Sequence, residues 1–341
     1  MNEIDVLLAL GMLLVVPMGL SMITWTDPRA ERLRGLAFKA VPFAAVLGAL
    51  SVLPRNAPYQ QSIGGLLAGL WLAVCLMVGI SALAEISKAR PARPEGYLPI
   101  AACLFLVVGA VWLVLWRSDV RPVDLPIEIV QLTAVHFLFA GFAGPILAAQ
   151  AARWLRALPG RWDRLAAYAG LGVVLAMLLI AVGITGSPLL EVEGSVLMAL
   201  SLIAIAAGTT LIAWRLPLAA RVLLIISSAA VWISMVLAIQ YAVGRYLVVG
   251  GLSVRDMART HGVLNVVFTV FGLAGWKLAG QKVVLGRRPA PAAGPDPAMI
   301  PVEPPAAPPP PELVEPVETP DSVEPPPPAQ GPAPAKADKP G

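Results

Sequence analysis

The two histidines of this 341-residue chain are the side chains whose type and position most clearly indicate a chemical role. His136 lies in the apolar stretch PIEIVQLTAVHFLFAGFAGPILAAQ at 126–150, and His261 lies in RTHGVLNVVFTVFGLAGW at 259–276. Imidazole is rare inside long apolar stretches, where ionisable groups commonly mark solute or proton paths. The sequence has no third histidine, so any site built on imidazole must use one or both of these rings.

Further polar residues accompany His136 along its stretch. At about 100° per residue of helix, Glu128, Thr133 and His136 fall within an arc of about 140°, whereas Gln131 points elsewhere. A shared helix face is therefore predicted for Glu128, Thr133 and His136. Pro145 follows in the same stretch, and its missing amide donor predicts a kink just beyond His136.

The stretch around His261 has a regular polar stripe. His261, Asn265 and Thr269 recur every four residues, which places them on one helix face. Arg259 lies just before them, at the predicted mouth of the stripe. The two stretches together give a set of candidate substrate-binding residues: His136, His261, Asn265, Glu128, Thr133 and Arg259.

Three interpretations of the histidines stay open at this point. They can line a solute site, hold helices together through neutral hydrogen bonds of about 0.6 kcal/mol each, or ligate a haem or metal ion as a pair. No CxxC motif or Cys/His cluster accompanies them, so no zinc site is predicted. We expect the two rings to converge on one cavity, with Asn265 beside His261. A separation above about 15 Å would exclude a shared site, since each bridging hydrogen bond spans only about 3 Å.

The elements that position these residues are membrane helices. The chain is 57% hydrophobic and 13% charged, with a mean hydropathy of +0.76, whereas soluble domains are about 25% charged. Nine apolar runs have the roughly 20 residues that a bilayer core requires. The predicted fold class is therefore an all-α, polytopic bundle over 1–288. The runs lie near 6–25, 36–54, 62–86, 98–116, 126–150, 163–185, 194–214, 218–243 and 260–280.

The positive charges alternate between the connections of these helices. One set of connections carries about 15 Lys and Arg residues and the opposite set about 6, and the richer set is expected on the cytoplasmic side. The prediction is a multi-pass protein of the cell membrane with its N-terminus outside and its C-terminus in the cytoplasm. Because the basic residues set topology, the net charge of +4 does not indicate a nucleic-acid partner.

The last segment, 289–341, has a different composition. It is rich in proline and acidic residues, with PPPP at 308–311 and 325–328, and such a segment cannot bury a core. A disordered cytoplasmic tail is predicted, which could bind a polyproline-recognising domain or simply stay solvated. The chain has no nucleotide-binding motif, which argues against an ATP-driven pump, and no pattern in it indicates an enzyme.

Two segments resemble the signature runs of the YndJ-like integral membrane proteins. They are TAVHFLFAGFAGP at 133–145 and RTHGVLN at 259–265. Helix number and order extend the likeness loosely over 1–285 and leave out the tail. The family run tends to read HFHY after its TAV, whereas Leu138 and Phe139 stand here, so a site needing a third histidine is not expected. The family is similar to small polytopic proteins that are sometimes labelled transporters.

The expected function is the handling of a small solute at a polar intramembrane site, to which protons could be coupled. The second class is a membrane redox protein with haem or metal bound by His136 and His261. The third is a structural or signalling membrane protein that acts through its tail. The partners implied by all three are the lipid bilayer and, for the first, a small solute.

Overall fold

The computed structural model of the chain describes residues 2–53, 58–88, 91, 93–247 and 252–285. This part of the chain is helical, without a strand. Nine of its helices are long and apolar enough to cross a membrane, which confirms the predicted all-α architecture. In chain order, α1 to α9 are Glu3–Leu20, Pro28–Ser51, Gln61–Lys88, Pro94–Arg117, Ile127–Leu155, Trp162–Gly186, Pro188–Ala213, Leu218–Gly244 and Val254–Gly280.

Short polar side chains fix where several helices begin. The Asn2 side chain accepts a hydrogen bond from the amide of Asp5 at 2.8 Å, and the Asp5 carboxylate accepts one from the amide of Asn2. Ser253 and Asp256 form the same reciprocal pair at the start of α9. The Asp27 carboxylate caps α2 by accepting from two amides. These caps satisfy backbone donors that have no partner within the first turn of a helix.

One connection is shorter than its sequence predicts. The hydropathy pattern predicts that the apolar run resumes at 194, but α7 begins at Pro188, and only Ser187 separates it from α6. The Ser187 hydroxyl caps α7, and proline is suited to the first turn because its missing amide is not needed there. Glu191 therefore belongs to the first turn of a membrane helix rather than to a loop.

The outside of the bundle is apolar. Phe43 is 71% exposed, Leu66 65% and Val236 62%, and each lies on a membrane-spanning helix. Surfaces of this kind are unfavourable in water but match lipid tails. The exposed apolar faces therefore agree with a protein that sits in a bilayer.

The helix α5 is at the centre of the bundle. Its most apolar window is 72% buried, against 28–56% for the other eight, and it packs against α1, α4, α6, α7 and α9. The other helices mostly pack beside their neighbours in sequence. The polar residues of α5 are consequently held inside the protein.

Three helices contain a widened π turn: α1 at Gly11–Val15, α5 at Phe137–Ala143 and α9 at Ala258–Gly262. The first two meet closely, since a Cβ on Gly11 would lie 3.0 Å from Cδ1 of Leu138. The predicted irregularity of α5 is present, but as a π segment that ends before Pro145. Such π turns are rare and occur frequently at functional sites.

The predicted tail at 289–341 lies outside the described residues, as does the end of the bundle from 286. The tail's predicted disorder and its binding to a polyproline-recognising domain stay predictions.

The orientation of the bundle can be tested with cysteine labelling. Val123 and Ala157 lie exposed in connections at opposite ends of the bundle, whereas the native Cys75 and Cys103 are buried. From the positive-inside rule, we expect an impermeant maleimide added to intact cells to label Val123→Cys. The Ala157→Cys variant should react only after the cells are opened. The reversed pattern would invert the predicted topology.

Candidate functional site

A cavity of about 180 Å³ lies where α1, α5, α7 and α9 begin. Side chains of α1 and of α5 through α9 form its walls, and most of them are apolar. A smaller cavity of about 60 Å³ adjoins it between α4, α5 and α6, and Thr133 and His136 line both. The combined space could hold several waters at about 30 Å³ each or one small solute.

His136 presents one ring nitrogen to this space. Its Nδ1 lies 2.9 Å from the Leu132 carbonyl oxygen, and since a carbonyl only accepts, Nδ1 carries the proton and donates. In the described part of the chain, no hydrogen bond reaches Nε2 of His136. The side chain is exposed on the cavity wall. Nε2 of His136 is therefore an available acceptor, because the hydrogen bond to the Leu132 carbonyl holds the proton on Nδ1.

His261, in contrast, has partners at both ring nitrogens. Its Nδ1 donates to the Ser234 carbonyl oxygen at 2.9 Å, with the Ser234 hydroxyl also 2.9 Å away. The Asn265 amide nitrogen donates to Nε2 at 2.9 Å and to the His261 carbonyl at 3.0 Å. This network ties α9 to α8 and holds the His261 ring as a neutral donor and acceptor.

The two imidazole rings lie close together, with centroids 6.5 Å apart and planes inclined by 28°. The separation is well inside the 15 Å limit, and Asn265 lies beside His261 as expected. One π segment begins directly after His136 and another contains His261. A π turn shifts the helical phase, so regular periodicity alone does not give the direction of the side chains that follow it.

The remaining candidates divide between the cavity and the surface. Thr133 lines both cavities, and Asn265 lines the larger one. Glu128 is exposed and lines neither. Arg259 is exposed and donates to the Glu3 carboxylate, with Nε 2.8 Å from Oε1. The arrangement thus brings together four of the six candidates and leaves Glu128 and Arg259 outside.

The polar residue Gln131 does face away from the cavity, as its phase predicts. It is buried, and its Nε2 donates to Oδ1 of Asp5 at 2.8 Å, which joins α5 to α1. This bond is a packing contact inside the bundle. It lies on the other side of α5 from the candidate site.

The sequence pattern missed several cavity residues. These residues come from four different helices and therefore share no local motif. They are Met177, Glu191, Ser195, Met198, Met235 and Met257. Glu191 is an acidic residue between apolar runs, but the hydropathy pattern places it in a loop outside the site. The methionines carry no signal, since methionine is an ordinary constituent of apolar helices.

The residues present do not fit the predicted bis-histidine haem. Both nitrogens of His261 are already hydrogen bonded, so of the two rings only that of His136 offers a ligand atom. The cavity of about 180 Å³ is also smaller than the roughly 300–1,000 Å³ typical of sites for larger ligands. Among the described residues, no group of three or more His, Cys, Asp or Glu side chains could hold a metal ion.

The segments that supply this site lie within a match to a known family. A family model described as YndJ-like protein matches residues 6–268. The chain belongs to the YndJ-like family. The matched range contains every residue that lines the larger cavity, from Leu7 to Phe268. The resemblance seen at 133–145 and 259–265 is thereby confirmed over most of the chain.

A curated relative of the YndJ-like protein is described as "Uncharacterized membrane protein YndJ" from Bacillus subtilis (strain 168). It is 23% identical over 281 residues, which cover 82% of this chain and 49% of the relative. The chain thus spans about half the length of that protein. No solved structure matches the chain.

Proposed function

We propose that this YndJ-like protein binds a small neutral or cationic solute in the cavity and carries it across the membrane. The observation that carries the proposal is the available Nε2 of His136 in a space shared by six helices. Ionisable groups placed inside membrane bundles usually serve a solute or a proton path. The three π segments, all in helices that line the cavity, support the assignment.

The charges of the wall favour this class of solute. Among the described lining residues there is no Lys or Arg. An anion would therefore find no cationic partner among them, which is costly in an apolar surround. The solute that fits best is neutral or cationic and uses Nε2 of His136, either by donating a hydrogen bond to it or by binding its lone pair.

The proposal also couples the solute to a proton. Histidine is the side chain that ordinarily changes charge between pH 5 and 8, and Nε2 of His136 is available to accept a proton. Protonation would turn the acceptor into a donor and add positive charge beside His261. Solute affinity and proton binding at His136 would then depend on each other.

Chemical modification of the purified protein in nanodiscs tests this proposal. Diethyl pyrocarbonate acylates unprotonated imidazole nitrogens, so we expect the added mass on His136 and not on His261, whose Nε2 is occupied by Asn265. Members of a panel of small solutes that fill the cavity should slow this modification. The solutes that do so are then candidates for uptake measurements in proteoliposomes.

The His136→Gln variant is the control, and it should lose the modification entirely. Equal labelling of both histidines would show that Nε2 of His261 is not held by Asn265. A His136 that resists the reagent would show that the cavity is closed to solutes, and failure of the whole panel to protect it would contradict solute binding.

A further inference from the structure

Four methionines from four consecutive helices line the larger cavity: Met177 in α6, Met198 in α7, Met235 in α8 and Met257 in α9. Three of them, Met177, Met198 and Met235, are at most 6% exposed. No sequence spacing relates them, and only the packing of the bundle brings them to one wall. Methionine from α6 to α9 is therefore part of the cavity wall.

This is a concentration of methionine. The chain has 10 methionines in 341 residues, but 4 of the 26 residues lining the cavity are methionines. Packing alone can recruit methionine, because it is a flexible filler of apolar gaps. Here, however, the same cavity also holds Nε2 of His136, an imidazole nitrogen that no other described residue contacts by a hydrogen bond.

Thioether sulfur and imidazole nitrogen together select for a particular class of ion. Methionine and cysteine sulfur favour soft cations such as Cu(I), and imidazole suits copper as well. Hard cations prefer several oxygen ligands, yet Glu191 is the one carboxylate among the described lining residues.

We propose that the cavity is a binding site for Cu(I), with His136 Nε2 and sulfur atoms drawn from Met177, Met198, Met235 and Met257 as its ligand atoms. This rests on the proposed function and names the solute class as a soft monovalent cation. His261 and Asn265 act as positioning residues that hold the facing wall. Cys75 and Cys103, the other soft side chains, do not line this cavity.

Competition with a coloured Cu(I) chelator such as bicinchoninate, under anaerobic conditions and on the full chain in detergent, tests this site. We expect one Cu(I) per chain. The double variant Met198→Leu with Met235→Leu should weaken binding by more than about 100-fold, since loss of outer-sphere partners alone costs 10–100-fold in metal sites. X-ray absorption should show sulfur and nitrogen ligands, with less sulfur in the variant.

The matched control is Met12→Leu, because Met12 is fully buried in α1 and does not line the cavity. It should keep the wild-type affinity, and methionine-to-leucine changes conserve side-chain volume well enough to leave the fold intact. Wild-type protein that loses Cu(I) to the chelator, or a cavity variant that binds like Met12→Leu, would overturn the copper site. If organic solutes still protect His136 from diethyl pyrocarbonate in that case, the proposed solute function stands without copper.

Discussion

Replacing each histidine by glutamine should have different effects: one substitution should weaken solute binding, and the other should lower stability. His136→Gln should weaken binding of any solute that protects the cavity by about ten- to a hundredfold, because a hydrogen bond to an ionised or strongly polar donor contributes about 1.5–3 kcal/mol. Its stability should change by less than about 0.5 kcal/mol. Within the described part of the chain, the His136 side chain bonds only to a carbonyl of its own helix, so its removal breaks no hydrogen bond between helices.

His261→Gln should have the opposite effect. The ring joins α9 to α8 through Ser234 and pairs with Asn265, and unmet buried partners cost about 1–3 kcal/mol. We expect the free energy of unfolding to fall by about that amount, with weaker effects on solute affinity per folded molecule. Thermal unfolding in detergent, followed by tryptophan fluorescence, measures the first quantity, and protection from modification measures the second.

The contrast itself is the test, because both substitutions make the same chemical change. If both variants lose stability and keep solute binding, the rings hold helices together and the site hypothesis is wrong. Loss of binding in both at unchanged stability would instead show that His261 releases Asn265 and contacts the solute directly.

A second large effect is expected at Glu85, on the opposite end of the bundle. The Glu85 side chain, on α3, is buried, and its carboxylate accepts hydrogen bonds from the Thr26 amide at 3.0 Å, the Thr26 hydroxyl at 2.6 Å and the Asp27 amide at 2.9 Å. One turn earlier on α3, the Ser81 hydroxyl accepts from the indole of Trp25 at 3.1 Å. Together these bonds fasten the connection between α1 and α2 to α3.

Glu85→Ala should lower the free energy of unfolding by about 3 kcal/mol or more, since it leaves two backbone amides and a hydroxyl without their acceptor. Glu85→Gln keeps one carbonyl oxygen and should cost less. Melting of the purified protein in detergent gives both values. The matched control is Glu128→Ala, because Glu128 is exposed and no hydrogen bond of its side chain is present among the described residues. A Glu85→Ala protein as stable as Glu128→Ala would show that the connection is held by apolar packing alone.

The helices and their number can be predicted from the sequence itself. Nine apolar runs, a low charge content and the need to pair every backbone polar group in lipid leave few alternatives to a helical bundle. The placement of both histidines toward the same end of the bundle is predictable as well. If every helix crosses the membrane, alternate helices run in the same direction, and α5 and α9 are both odd-numbered. Local sequence carries these features because they depend on length and composition.

The identity of the cavity-facing side chains was decided by tertiary structure. Glu128 shares the predicted face of His136, yet of the polar residues on that face only Thr133 and His136 line the cavity. All three precede the π segment of α5, so this difference comes from how the neighbouring helices pack around α5; the π segment changes the direction of the residues that follow it. A π turn adds a residue to the helical turn and rotates the residues after it, and its position depends on packing, as where Gly11 meets Leu138. Periodicity at 100° per residue cannot anticipate that shift.

Tertiary structure also determines that four methionines line the cavity and that the two histidines have different partners. Met177, Met198, Met235 and Met257 line one cavity because α6 to α9 pack in sequence order around it. Nε2 of His136 stays available among the described residues, whereas Ser234 of α8 and Asn265 occupy both nitrogens of His261. Composition determines that a helix lies in the membrane. Contacts between helices that are distant in the sequence determine which of its polar atoms stay available to a ligand.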